Sequence, residues 1–215
     1  MNVVFLSPAY PVEMAEYTRG LAEVGASVFG VGDAPVQGLP EGVRRHLSDY
    51  LQVPRLFDED DLVRRVVAWM HGRRVDRVES LWEPLVLAAA RIRETLGLPG
   101  MSVDVTRGFR DKQLMKERLA AAGLRVPHSA RCTTATEVRD AAHRIGFPVI
   151  IKPIAGAGSV DTWRVDDEQE LRRVLAITGH VPEVSCEEFV EGEEFTFDTV
   201  CVRGRAAYVN VAQYL

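Results

Sequence analysis

Lys152 ends an apolar run, Val149-Ile150-Ile151, and a small-residue loop follows at once: Ala155-Gly156-Ala157-Gly158-Ser159. An ammonium at the end of a buried strand is costly unless it meets an anion. Glycine-rich loops supply backbone N–H groups that wrap phosphate oxygens, and a lysine at the strand end can neutralise the same phosphates. A second lysine, Lys112, opens a strong helix-forming run, DKQLMKERLAAA. A third feature is Cys186-Glu187-Glu188-Phe189-Val190-Glu191-Gly192-Glu193-Glu194-Phe195. Here Glu187 can accept from an adenine amino group, while the strand backbone offers the donor and acceptor that an adenine edge needs. Glu194 is placed to bind ribose hydroxyls. The pattern G-x-x-x-x-G-K-[ST] is missing, so these residues do not form a P-loop.

Each residue also has a plainer reading. Lys152 alone could snorkel to water, but the glycine loop and Lys112 argue against that. The Glu188 and Glu193 side chains read as strand-edge charges, and Trp163 as packing. Ser7 and Tyr10 follow the first strand, and Glu79 and Trp82 end the third. Open α/β sheets bind ligands beyond such strand ends, which makes these four the substrate-contact candidates.

The chain has 215 residues, 47% apolar and 27% charged, with a formal net charge of -5. That balance suits a globular protein with a real core, and the negative charge disfavours non-specific nucleic-acid binding. Basic pairs such as Arg64-Arg65 and Arg172-Arg173 sit beside acids and read as solvated helix faces. Cys132, Cys186 and Cys201 are widely spaced and odd in number, which argues against a disulfide framework or zinc site. The five histidines show no ligand spacing. No apolar run approaches the roughly 20 residues of a membrane span, and the N-terminus has no basic n-region. A cytoplasmic protein is expected.

The elements that must position these residues fall into two sets. Asn2 to Leu6, a helix from Met14 to Val24 closed by Gly25, and Ser27 to Val31 form a β-α-β unit, which predicts a parallel sheet. The stripe of that helix is Met14, Tyr17, Leu21 and Val24. No G-x-G-x-x-G follows the first strand. Residues 34 to 58 read as irregular. An acid-led helix with the stripe Leu62, Val66, Trp69 and Met70 comes next, then a strand at Asp76 to Ser80 and a helix from Leu85 to Leu96. In the second half, Pro127 to Cys132, Phe147 to Lys152, residues 162 to 165, Val184 to Val190 and Glu194 to Val202 read as strands. Helices end at Ile145 and Leu175, and a hairpin turn at Arg203-Gly204 leads into Ala206 to Leu215. The last run is apolar and strand-like, so another layer or a partner is expected to cover it.

The order DK…IIKP…GAGS…EEFVEGEEFTFD resembles the ATP-grasp superfamily over Asp111 to about Asp198. In that resemblance Lys112 and Lys152 match the two ATP lysines. Gly156, Ala157, Gly158 and Ser159 match the glycine-rich loop. Glu187, Glu188, Phe189 and Val190 match the adenine-binding hinge, and Glu194 the ribose acid. The first hundred residues resemble, by order of elements, the Rossmann-like domain before ATP-grasp modules of the biotin-carboxylase-like and carboxylate–amine ligase branch.

The resemblance implies an α/β chain: a Rossmann-like pre-ATP-grasp domain at 1–105, an ATP-grasp N-terminal lobe at 106–183, and the start of a C-terminal lobe at 184–215 that is incomplete. It implies ATP and Mg2+ as cofactors, and a carboxylate activated as an acyl phosphate for attack by an amine. The implied partners are small-molecule carboxylate and amine substrates, with no nucleic acid and no membrane; related ligases are often dimers. The family's magnesium ligands and catalytic acids lie downstream of the hinge and are expected beyond Leu215; Asn210 lacks acid neighbours and is not assigned to them. The chain alone is therefore expected to turn over little. A non-catalytic module that binds nucleotide or a partner is the alternative.

Overall fold

The computed structural model describes residues 1–154, 160–179 and 182–213. They form two compact units, one running from Met1 to Leu124 and one from Arg125 onward.

In the first unit, β1 (Asn2–Leu6), α1 (Met14–Glu23) and β2 (Ser27–Gly32) make the expected β-α-β, with β1 and β2 parallel and Val4 opposite Phe29. The stripe of α1 is only partly as expected. Met14 and Thr18 are buried, whereas Tyr17 and Val24 are exposed. Thr18 replaces an apolar contact by donating its hydroxyl to the Pro8 carbonyl at 2.8 Å and so ties the helix to the loop after β1.

Residues 34–58, expected to be irregular, contain a short α2 (Glu41–Arg44) and a strand, β3 (Leu47–Gln52). The run LSDYLQ has no β-branched residue, so its propensity for strand is weak. Its strand state comes from parallel pairing with β2, Gly30 opposite Tyr50. Then follow α3 (Glu59–Met70), β4 (Arg77–Glu79), α4 (Val86–Leu96), α5 (Val103–Arg110) and α6 (Lys112–Ala121). Asp58 caps α3 by accepting from the Asp61 N–H at 3.2 Å, and three acids fill its first turn. Gly97, at φ +65°, ends α4 in the left-handed conformation that glycine takes freely. The helix α5, not anticipated, begins at the cap Ser102.

The four strands are parallel and ordered β3-β2-β1-β4. The main core lies on one face, where Val4, Leu6, Val31 and Val78 meet Leu62, Val66 and Met70 of α3 and Ala89 and Ile92 of α4. Phe5 and Val28 pack on the other face against Met14. The connections run outward from β1 through β2 to β3, then return to its other side at β4. Between β1 and β4 the strand order therefore reverses.

The second unit holds β5 (Ser129–Cys132), α7 (Ala135–Ile145), β6 (Val149–Pro153), β7 (Trp163–Val165), α8 (Glu168–Ile177) and β8 (Val184–Glu188). The strands are antiparallel in the order β5-β8-β6-β7. A capping box starts α7: Thr134 accepts from the Glu137 N–H, and the Glu137 carboxylate accepts from the Thr134 N–H. Asp167 caps α8. Cys132, Val149, Ile151, Val165, Val184 and Cys186 point to one side of the sheet and pack with Val138, Ala141 and Ala142 of α7 and Leu171 and Val174 of α8. Burial raises the thiol pKa of Cys132, and that of Cys186 to about 12, so both behave as small apolar residues. Cys201 is exposed.

A separate hairpin follows, β9 (Phe195–Val202) and β10 (Arg205–Gln213), turning at Arg203 and Gly204 with φ of +51° and +75°. Among the described residues, no helix is long and apolar enough to cross a membrane.

Candidate nucleotide site

Strand alternation divides the second unit's sheet into a helix-covered face and an opposite face. Pairing sets Ile150 against Glu187, Lys152 against Ser185, and Arg164 against Ile150. These residues alternate with Ile151, Cys186 and Val165, so they occupy the side away from α7 and α8. Lys152 and Glu187 are diagonal neighbours there, and the Lys152 Nζ lies 2.8 Å from the Glu187 Oε2. The Glu187 side chain is only 5% exposed. A carboxylate so far from water requires a partner of opposite charge, and Lys152 meets that need.

The segment expected to be the hinge continues from the end of β8. The Glu188 N–H donates to the His128 carbonyl at 2.8 Å, and the Phe189 N–H to the Pro148 carbonyl at 3.2 Å. Both donors are thus used within the unit, and Val190 is the first hinge residue whose N–H has no partner among the described residues. The Glu188 carboxylate accepts from the His128 N–H at 3.0 Å and pairs with Arg125. The His128 N–H and then the Arg125 guanidinium hold this carboxyl below the usual range. The Glu188 side chain therefore ties β8 to the segment before β5, in line with its reading as a strand-edge charge.

Sequence reasoning did not single out Arg164. Its guanidinium lies 4.2 Å from the centroid of the Phe189 ring, a cation–π stack on the hinge aromatic. The signal was available in the alternation of Thr162-Trp163-Arg164-Val165: Trp163 and Val165 face the core, so Arg164 must face the Lys152 side. Glu194 is exposed just before β9. Gly156, Ala157, Gly158 and Ser159 lie outside the described residues. Lys112 belongs to the first unit and is the first residue of α6, where Asp111 caps the helix by accepting from the Gln113 and Leu114 N–H groups.

The four substrate candidates gather at the carboxyl ends of β1 and β4 in the first unit. Ser7, at φ +57°, is buried; its hydroxyl donates to the Tyr10 carbonyl, and its N–H donates to the Val31 carbonyl at 2.7 Å. Ser7 thus shapes the loop that presents Tyr10. The Tyr10 and Trp82 rings meet edge to face at 4.8 Å. Phe57, which sequence reasoning left aside, adds its ring to Trp82 at 5.2 Å. Glu79 ends β4, and burial raises its pKa against the opposing pull of Arg93 and Arg77.

Two family models match the chain in succession. The ATP-grasp N-terminal domain covers residues 22–100, and the ATP-binding domain of the carbamoyl-phosphate synthase L chain covers residues 111–191. The chain belongs to the ATP-grasp superfamily. It is 35% identical over 173 residues to a D-alanine–D-alanine ligase of Xylella fastidiosa, covering 78% of this chain and 51% of that protein. Its fold matches a crystal structure of the L-amino acid ligase from Bacillus licheniformis with a TM-score of 0.77 at 21% identity, over 98% of this chain and 48% of that one. It also matches N5-carboxyaminoimidazole synthetase from Staphylococcus aureus complexed with ADP, with a TM-score of 0.75 at 14% identity, over 99% of this chain and 53% of that one. The chain thus spans about half the length of these ATP-grasp relatives.

Proposed function

We propose that this chain carries the adenine-binding hinge of an ATP-dependent carboxylate–amine ligase. The observation behind this reading is the pairing of Lys152 with the buried Glu187 beside a hinge whose inner N–H groups are already used. A carboxylate only accepts hydrogen bonds, so Glu187 suits the adenine amino group and opposes the guanine carbonyl at the same place. The Glu188 carbonyl and Val190 N–H would complete the adenine edge. Arg164, fixed on Phe189, stiffens that hinge. Lys152 would exchange Glu187 for a phosphate oxygen, acting by charge and not as an acid or base. Lys112 and the loop 156–159 enter as phosphate contacts through their motifs, and Glu194 as the ribose contact.

ATP with Mg2+ supplies the phosphoryl group that turns a carboxylate into a reactive acyl phosphate, which an amine then displaces. Among the described residues no group of three or more His, Cys, Asp or Glu is placed to hold a metal, and no metal ligand is assigned to them. Ser7, Tyr10, Glu79 and Trp82 are proposed for the small-molecule substrate. The division into 1–105, 106–183 and 184–215 is proposed as the functional one. The join of the two family models between 100 and 111 supports its first boundary, although the compact unit itself runs on to Leu124. Cytoplasmic location is part of the same reading.

Calorimetric titration of Mg-ATP into the chain, with Lys152→Ala as control, tests the proposal. Binding that is lost in the variant is the expected result. Equal binding by both proteins overturns the assignment of Lys152.

A further inference from the structure

Three aromatic side chains converge in the first unit from loops that follow three different parallel strands. Tyr10 comes after β1, Phe57 after β3 and Trp82 after β4. Tyr10 and Phe57 are each 62% exposed, although their rings flank Trp82. Aromatic surface of that size in water is what a ligand site presents. Its place is the point where the strand order reverses, beyond the carboxyl ends of β1 and β4.

The carboxylates nearby differ. Glu83 is engaged directly by Arg110. Glu79, opposite Phe5 in the β1–β4 pairing, has a looser partner in Arg93, 3.4 Å away, and its side chain stays half exposed. Arg93 is itself unusual. It is a guanidinium only 5% exposed, reaching from α4 to donate to the Val78 carbonyl at 2.7 Å and the Met101 carbonyl at 3.1 Å. Its buried Nε has no partner among the described residues. Gly100 leaves it room: a Cβ there would stand 2.6 Å from the Arg93 Cδ. So costly an arrangement holds one cation in long hydrogen-bond reach of Glu79, while about half of the Glu79 side chain stays open to solvent.

We propose that the carboxyl ends of β1 and β4 bind an organic primary ammonium with an apolar or aromatic body, Glu79 being its counter-ion, Tyr10, Phe57 and Trp82 its wall, and Arg93 the positioning residue that orients Glu79. The inference rests on the ligase reading, for which it names the amine-bearing substrate. An ammonium beside a partly desolvated carboxylate and aromatic faces gains from both the charge and the rings. Arg77 on β4 and Arg93 on α4 are the charged groups acting on Glu79. Burial acts most strongly and raises its pKa, and both guanidinium groups oppose that.

The test uses the chain with two probes, 2-phenylethylammonium and the neutral 2-phenylethanol, read on the Trp82 indole N–H resonance. The ammonium is expected to bind about tenfold tighter or more, as a charge-assisted contact does over a neutral one. Glu79→Gln should erase that preference while Mg-ATP binding is retained. In the unaltered chain, the Glu79 carboxyl, followed by carbon NMR, should titrate at lower pH when the ammonium is bound and stay unmoved with the alcohol. In Arg93→Gln it should titrate higher. Equal affinity for the two probes, or a preference that survives Glu79→Gln, overturns the site. An unmoved Glu79 titration in a folded Arg93→Gln removes Arg93 from it. Failure of Mg-ATP to bind, with the ammonium preference intact, counts against the ligase reading alone.

Discussion

The ammonium of Lys152 sits 2.8 Å from the carboxylate of Glu187, diagonally across β6 and β8 and on the face of the sheet opposite α7 and α8. The pair answers two needs at once. It lets a strand-end lysine and a buried acid fold together, and it stores a cation and an acceptor side by side. Removing Lys152 alone takes the cation from a buried acid, which costs on the order of 3 kcal/mol. Lys152→Met should therefore lower the urea midpoint, and adding Glu187→Gln to it should restore much of the loss. Additive losses in the double variant would show that the pair does not couple. Stability must be followed beside nucleotide affinity, and Lys112→Ala should likewise weaken ATP binding.

If Glu187 reads the adenine amino group, its charge also excludes guanine. Glu187→Gln introduces an amide that can donate as well as accept. The ratio of ATP to GTP affinity should fall by about tenfold, a size in keeping with a hydrogen bond to a charged group. Competition between the two nucleotides on the variant gives the ratio directly. A ratio unchanged from that of the parent chain would remove Glu187 from base recognition.

The chemistry that was legible in the sequence was local. IIKP and CEEF each mark a strand end through residue type alone, and the pairing of β6 with β8 brings Lys152 and Glu187 together. The β-α-β start and the capped helices were legible for the same reason, since caps and apolar periods act within a few residues. What escaped depends on neighbours far along the chain. The LSDYLQ of β3 becomes a strand because β2 offers a partner edge. Thr18 is buried because the Pro8 carbonyl lies across from it. Phe57 joins Trp82 although 25 residues separate them in the sequence.

Glu188 makes stability depend on pH in a defined direction. Its folded-state pKa is depressed, first by the His128 N–H and then by Arg125. A depressed acid contributes stability that is fully present above its unfolded pKa, about 4.3, and is lost as pH falls through the folded value. Arg125→Ala should weaken the chain at neutral pH and leave a smaller difference once Glu188 is protonated in both proteins. Thermal melts from pH 7 down to the acid limb measure this. A difference that stays constant over the whole range would exclude the ion pair as its source.

The hairpin of β9 and β10 sets the last expectation. On one of its faces Phe195 and Phe197 stand opposite Gln213 and Val211, with Val209 opposite Thr199. Phe197 is 68% exposed and Val211 58%. On the other face Asp198 accepts from the Asn210 amide at 3.3 Å, beside Val200 opposite Tyr208. An apolar ribbon of this kind buries its surface against another layer or against a second molecule. The chain should therefore associate as its concentration rises, and Phe197→Asp should reduce that association, since it places a charge at the centre of the apolar face. Sedimentation or size-exclusion measurements over a range of concentrations decide the matter. A monomer at every concentration would show that this face is not adhesive, and an association untouched by Phe197→Asp would locate the contact elsewhere.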